Sequence, residues 1–303
     1  MNSSSPVVHI RDLHYAYDRG EAVAGVDLQV QSGTCHGLFG RNGAGKTTTM
    51  KCLLQLLRPQ RGQVQLFGLD AATEELKVKR RLAYVPDSPA FYPWMTVRET
   101  LNYLASFRKS WNDRKESDLL DRFALPEKQN VAGLSKGQRT QLALVGALCA
   151  EPELLVLDEP TSGLDPLVRR EFIETVIGAY QEDDPSQRTI LVSTHLISEF
   201  EGLIDEFTIL DRGRAVLRSS ADGARQQYRR IRARFRDPSP MIDLSGALSV
   251  RTQGREWEVI VNGNGEQHFQ TLSAHQPETI AWEGLNLEEI FMITTKSERA
   301  PEA

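Results

Sequence analysis

Gly40-Arg41-Asn42-Gly43-Ala44-Gly45-Lys46-Thr47-Thr48 follows the spacing G-x-x-x-x-G-K-T, a pattern suited to holding phosphate. Its glycines let the backbone fold around an anion, so that several N–H groups point inward. Lys46 puts a positive charge on the β- and γ-phosphates of a nucleoside triphosphate, and the short Thr47 hydroxyl suits Mg²⁺. A second group of chemical side chains closes the apolar run Leu154-Leu155-Val156-Leu157. There Asp158 is placed to hold the metal, and Glu159 to activate the water that attacks the γ-phosphate. An apolar run followed by two acids also fits a strand entering an ordinary turn, so this group gains its meaning from its neighbours.

Those side chains need elements to position them. Cys35-His36-Gly37-Leu38-Phe39 reads as a buried strand ahead of the loop. Met50, Leu53, Leu54 and Leu57 recur at helical spacing behind it, until Arg58-Pro59 stops the run. The loop therefore opens a helix whose positive dipole end favours an anion. Val7–Ile10 and Val26–Val30 read as strands. Leu154–Leu157, Ile190–Val192 and Phe207–Leu210 read as strands of a mostly parallel, covered sheet. Between 89 and 150 the texture turns helical. Thr96-Val97-Arg98-Glu99 spells a capping box before a helix with Leu101, Leu104 and Phe107 on one face. Helical pattern returns over 118–123 and 137–150. From about residue 215 it changes again. Arg230–Arg236 alternates basic with apolar or small residues, as in a strand. Trp257–Val261 reads as a strand, 267–276 as a helix, 279–282 as a strand and Leu287–Phe291 as a short helix.

Composition narrows the partners. The chain has 303 residues, 40% hydrophobic and 25% charged, which is ordinary for a globular protein with a sizeable core. A formal net charge of −5 argues against nucleic acid as the main partner. No run approaches the length of a membrane span, and the polar start Met1–Pro6 lacks the apolar core of a signal peptide. Cys35, Cys52 and Cys149 lie apart within apolar runs. They read as core residues in a reducing compartment, so the expected location is the cytoplasm.

The order of motifs now carries a resemblance. Leu134-Ser135-Lys136-Gly137-Gln138 is similar to the signature L-S-G-G-Q of ABC transporter ATP-binding subunits, with lysine at its third position. Ser162-Gly163-Leu164-Asp165 resembles the family's D-loop. Ser193-Thr194-His195 resembles its switch histidine, and Tyr17 falls where the family stacks an aromatic on adenine. The resemblance implies an α/β fold: an ABC-type P-loop core with a mostly parallel sheet, an antiparallel β subdomain and a helical insertion (about 88–150). It places the ATP-binding domain at 7–220 and leaves 221–303 as a small accessory α+β appendage. It implies ATP and Mg²⁺ as ligands, with Gly40–Thr48, Tyr17, Asp87, Ser135, Gly137, Gln138 and Asp165 around nucleotide. Thr47, Asp158 and Asp87 fall to the metal, and Lys46, Glu159 and His195 to catalysis.

The resemblance further implies two subunits sandwiching two ATPs, because one chain has one loop and one signature. A homodimer and a separate integral-membrane permease are the expected partners. The chain would then lie on the inner face of the membrane through that permease. Asp87, in Tyr84-Val85-Pro86-Asp87, stands where the family usually has glutamine. It either tightens the metal site, repels the γ-phosphate unless a cation balances it, or faces solvent or permease. This acid, Phe91–Glu99 and Leu287–Phe291 resemble the bacitracin-resistance-like group of bacterial ABC-2-type exporter ATPases. An importer ATPase with a regulatory C-terminal domain, or a non-membrane regulatory ABC ATPase, stays as the alternative.

Overall fold

A computed structural model of the chain describes residues 6–181, 188–236 and 241–297. The chain divides into two units, Met1–Val216 and Leu217–Ala303. In chain order the first unit holds β1 (Val8–Tyr17), β2 (Gly20–Val30), β3 (Cys35–Phe39), α1 (Lys46–Leu53), β4 (Arg61–Leu66) and β5 (Leu69–Asp70). Next come α2 (Glu75–Lys79), β6 (Leu82–Val85), α3 (Val97–Ala105), α4 (Asp113–Arg122) and α5 (Lys136–Leu148). After them run β7 (Leu154–Asp158), α6 (Pro166–Gln181), β8 (Thr189–Thr194), α7 (Ile197–Phe200) and β9 (Glu206–Asp211). Strand β10 (Arg214–Ser220) runs across the division.

Two sheets build this unit, one ordered β2-β1-β4-β5 and antiparallel, the other ordered β10-β9-β3-β8-β7-β6. In the second, β9, β3, β8, β7 and β6 pair in parallel. Every residue of β3, β7 and β8 is buried, as continuous apolar runs covered on both faces require. Strand β1 instead half-alternates, and its buried Val8, Ile10 and Leu13 join Val26, Leu28, Met50 and Leu53 in one core. Each such side chain contributes roughly 1.5–3 kcal/mol when fully buried.

The capping box at Thr96 and Glu99 is present and opens α3. That helix stops at Ala105, so Phe107 does not share its apolar face: Leu101 is buried, whereas Phe107 is exposed. Phe107 instead ends an aromatic row in which Trp94, Tyr92, Tyr103 and Phe107 follow one another with ring centroids 5.0, 5.6 and 5.0 Å apart.

The second unit continues with α8 (Ala221–Gln227), β11 (Tyr228–Arg234), β12 (Ser249–Gln253), β13 (Glu256–Asn262), α9 (Gly265–Ala274), β14 (Thr279–Gly284) and α10 (Leu287–Ser297). Its antiparallel sheet runs β12-β13-β11-β14, with Ile231, Phe235, Val259, Val261 and Leu272 in its core. Asn264 caps α9, which opens at Gly265, two residues before the helix that the pattern predicts. Arg230, Arg232 and Arg234 of β11 are matched by glutamates within the second unit. Arg230 reaches Glu258, Glu283 and Glu289 at 3.3, 3.3 and 2.8 Å, and Arg232 and Arg234 also pair with glutamates. Among the described residues, no helix is long and apolar enough to cross a membrane.

Candidate functional site

Four neighbouring strands deliver the candidate residues to one edge. The registers pair Phe39 of β3 with Thr194 of β8, Ser193 of β8 with Asp158 of β7, and Leu157 of β7 with Val85 of β6. All four strands point the same way. The loop after β3, Glu159 after β7, His195 after β8 and Asp87 after β6 therefore emerge side by side, where open α/β sheets gather their ligands.

Within the loop, Gly43 and Gly45 have φ of 83° and 102°. Gly45 has a second reason to lack a side chain, since a Cβ there would meet the Ala22 carbonyl oxygen at 2.6 Å. The loop passes straight into α1, whose first residues are Lys46, Thr47 and Thr48. Lys46 is buried. Its ammonium donates to the Gly40 carbonyl at 2.7 Å and lies 2.8 Å from Glu159 Oε1. Glu159 sits in the left-handed region at φ 47° with its N–H donating to the Ser193 carbonyl at 3.0 Å. That turn aims its carboxylate back across the sheet edge. Glu159 Oε2 then meets His195 Nδ1 at 2.7 Å. A carboxylate only accepts, so the hydrogen is assigned to Nδ1. Nε2 of His195 can donate to a phosphate only when the ring carries both hydrogens.

Asp158 is held apart from this relay. Its Oδ1 accepts from Thr47 Oγ1 at 3.1 Å and from Ser193 Oγ at 2.5 Å, and its Oδ2 accepts from the Tyr84 hydroxyl at 3.4 Å. Burial raises the Asp158 pKa from its ordinary value. The Ser193 and Thr47 hydrogen bonds oppose the rise, and the charges of Glu159 and Asp87 add to it. Burial, then the charge of Asp158, pushes the Tyr84 phenol upward. Thr47 and Asp158 thus meet as a pair of hard oxygen donors at a place crowded with negative charge, the donor chemistry that Mg²⁺ takes.

A second cluster forms around the start of α5. Ser135 caps that helix: its Oγ accepts from the Gln138 N–H at 3.1 Å, and Gln138 Oε1 accepts from the Ser135 N–H at 3.0 Å. Asp165 caps α6, accepting from the N–H groups of Leu167 and Val168 at 3.1 and 3.2 Å. Lys136 donates to the Ser162 carbonyl at 2.6 Å and stands 3.7 Å from Asp87 Oδ1. Among the described residues, no hydrogen bond or ion pair joins Ser135, Gly137, Gln138 or Asp165 to the phosphate loop of the same chain. Tyr17 ends β1, 45% exposed, with its ring edge-on to Tyr15 at 4.9 Å.

The structure thus brings Lys46, Glu159 and His195 into one bonded group, sets the Thr47–Asp158 pair beside it, and leaves the signature residues in a separate cluster. It also adds three side chains. Ser193 and Tyr84 hold Asp158, and Lys136 stands opposite Asp87. Ser193 stands in the switch-histidine motif, but its role toward Asp158 follows only from the register of β7 on β8.

A model of the ABC transporter family matches residues 23–162. The bacitracin transport ATP-binding protein BcrA of Bacillus licheniformis is 32% identical over 228 residues, which are 75% of this chain and 74% of that protein. The Nod factor export ATP-binding protein I of Ralstonia nicotianae is 34% identical over 218 residues, 70% of this chain and 67% of that one. A solved structure of an ATP-binding subunit of an ABC transporter superposes with a TM-score of 0.66 at 31% identity, covering 73% of this chain and 92% of that one. Loop, paired carboxylates, histidine and signature all lie within the matched part of this fold, and the chain belongs to the ABC transporter family as an ATP-binding, ATP-hydrolysing subunit.

Proposed function

We propose that two copies of this chain close around two Mg-ATP, and that this closing drives a separate membrane-embedded permease in export. One observation carries the dimer: a single chain offers its phosphate loop and its signature helix as two unjoined half-sites. A nucleotide on the loop is completed only when a second copy brings its capped α5 N-terminus, an anion-favouring helix end.

In this reading the loop N–H groups and Lys46 take the phosphates, and Tyr17 stacks on the base. Thr47 and Asp158 hold Mg²⁺, which when bound spreads the charge of the phosphates. Glu159 takes the proton of the attacking water, and His195 steadies the γ-phosphate end of the site. Ser135, Gly137 and Gln138 meet the partner copy's nucleotide, and Asp165 meets the partner across the interface. The domain division of the reading is an ATP-binding part through about residue 220 and an accessory part beyond it.

The permease contact is supported by a groove of about 530 Å³ beside the end of β6, lined by Tyr84, Pro86, Pro89, Phe91, Leu104 and Phe107. The exposed aromatic row from Trp94 to Phe107 is also placed to meet an apolar partner. Export is supported by the relatives' names and by the acid at position 87. The chain then works at the inner face of the membrane, held there by the permease.

Two measurements test this. ATPase activity per chain should fall on dilution through the dimerisation range, and activity that stays flat would remove the sandwich. Affinity-tagged chain solubilised from membranes should also co-purify with a multi-span protein and turn over faster with it. Tyr17→Ala is expected to raise KM for ATP about fivefold to tenfold, the low end of the roughly 1–3 kcal/mol that base stacking contributes. Its kcat and melting temperature should hold, since the ring is half exposed. An unchanged KM places the base elsewhere.

A further inference from the structure

We propose that Asp87 and Lys136 are a positioning pair that ties the chain's own metal-side strand end to the helix end it offers to the second copy. The proposal rests on the two-copy reading above. It gives the acid at position 87 a partner in lysine rather than in Mg²⁺.

Three segments converge on one ammonium. Lys136 is the first residue of α5, donates to the Ser162 carbonyl at 2.6 Å and stands 3.7 Å from Asp87 Oδ1. Gly163 follows at φ 71°, and a Cβ there would come within 3.2 Å of the Lys136 ammonium. The lysine is therefore laid over a turn that leaves room for it. Asp87 Oδ1 is closed off from solvent and has no hydrogen-bond partner, whereas Oδ2 accepts from the Ser88 hydroxyl at 3.4 Å. The shielded oxygen is the one that faces the lysine.

Charge placement also needs explaining. A cation in the first turn of a helix opposes the helix dipole. Asp87, two residues past β6 and beside the strand that carries Asp158 and Glu159, adds a third acid where a triphosphate must sit. Each residue is unfavourable alone, and the two together are close to neutral. The pair also links sites that would otherwise be independent. Asp87 reports on the chain's own phosphate edge, and Lys136 belongs to the helix end that meets the nucleotide of the other copy.

The test uses the full chain carrying Glu159→Gln, so that ATP is bound but little is hydrolysed. The ATP concentration at half-dimerisation is read by light scattering, together with the Mg²⁺ midpoint and the nucleotide affinity of the monomer. Asp87→Asn and Lys136→Gln are each expected to raise the half-dimerisation concentration about fivefold, the scale of a half-exposed ion pair. The double variant should go no further, and the exchange Asp87→Lys with Lys136→Asp should return to within about twofold of the parent. Monomer affinity and the Mg²⁺ midpoint should stay within about twofold.

Additive losses overturn the pair. A shifted Mg²⁺ midpoint with Asp87→Asn alone makes the acid a metal ligand. An effect of Lys136→Gln without one from Asp87→Asn makes the lysine a direct contact to the partner's phosphate. If the Glu159→Gln chain stays monomeric at saturating ATP, the two-copy reading fails instead. The pair is then decided by thermal melts of the parent, the two single variants and the double variant, where additive losses overturn it and a shared loss supports it.

Discussion

Glu159→Gln should bind ATP about tenfold more tightly than the parent chain and turn over at least about a hundredfold more slowly. Both effects come from the same carboxylate. Its Oε1 lies 2.8 Å from the Lys46 ammonium, and both side chains are almost fully buried. A triphosphate must compete with that carboxylate for the lysine. An amide of the same size removes the charge and keeps the shape, so the lysine is surrendered more easily. A gain of about 1.4 kcal/mol corresponds to the tenfold in affinity. The loss in turnover follows from removing the proton acceptor, since general-base catalysis is worth roughly a hundredfold to ten-thousandfold. Nucleotide titration and single-turnover hydrolysis read the two effects separately. Near-normal turnover would take Glu159 out of the base role, and unchanged affinity would mean that Lys46 does not have to leave it.

Lys46→Ala should abolish measurable ATP binding and also weaken the fold. Removing the lysine takes the charge-assisted donor from two phosphates, worth about 1.5–3 kcal/mol for each such bond. It also leaves Glu159 as a buried anion whose remaining partner is His195 at 2.7 Å. Breaking a buried pair on one side costs about 3–5 kcal/mol. The two His195 bonds to that carboxylate, from Nδ1 and from the backbone N–H at 3.4 Å, reduce this, so about 2 kcal/mol is expected, a fall in melting temperature of roughly 4–8 °C for a unit of this size. The double variant Lys46→Ala with Glu159→Gln should recover most of that stability and none of the binding. If it recovers no stability, the loss lies in loop packing rather than in an abandoned carboxylate.

Much of the candidate site is legible in the sequence because its chemistry is local. The loop and the two carboxylates are spelled by consecutive residues, and the strands that carry them are short apolar runs. The capping boxes at Thr96 and Ser135 are equally local, each a side chain bonded three residues on. What the sequence hides is register and reach. Ser193 becomes a holder of Asp158 only because β8 lies beside β7 with those residues opposed. Lys136 reads as a departure within a motif until it is found against another departure 49 positions earlier. Phe107 follows the helical period, yet α3 stops before it and the ring joins an exposed aromatic row. The arginines of β11 alternate as a strand should. That glutamates from two neighbouring strands and from α10 would neutralise them depends on pairing at long range.

The reciprocal cap at Ser135 has a consequence for assembly. The hydroxyl accepts from the Gln138 N–H through a lone pair, which leaves its own hydrogen to turn outward. The Gln138 side chain is likewise anchored through its oxygen, with its amino hydrogens left over. Both rotamers are therefore frozen before a second copy arrives. Ordering a mobile polar side chain on association costs about 0.5–1.5 kcal/mol, and here that entropy has already been surrendered during folding. In the proposed two-copy assembly, the face offered to the second copy is a set of pre-aimed donors, so its selectivity for a compact polyanion would reside in rigidity as well as in charge.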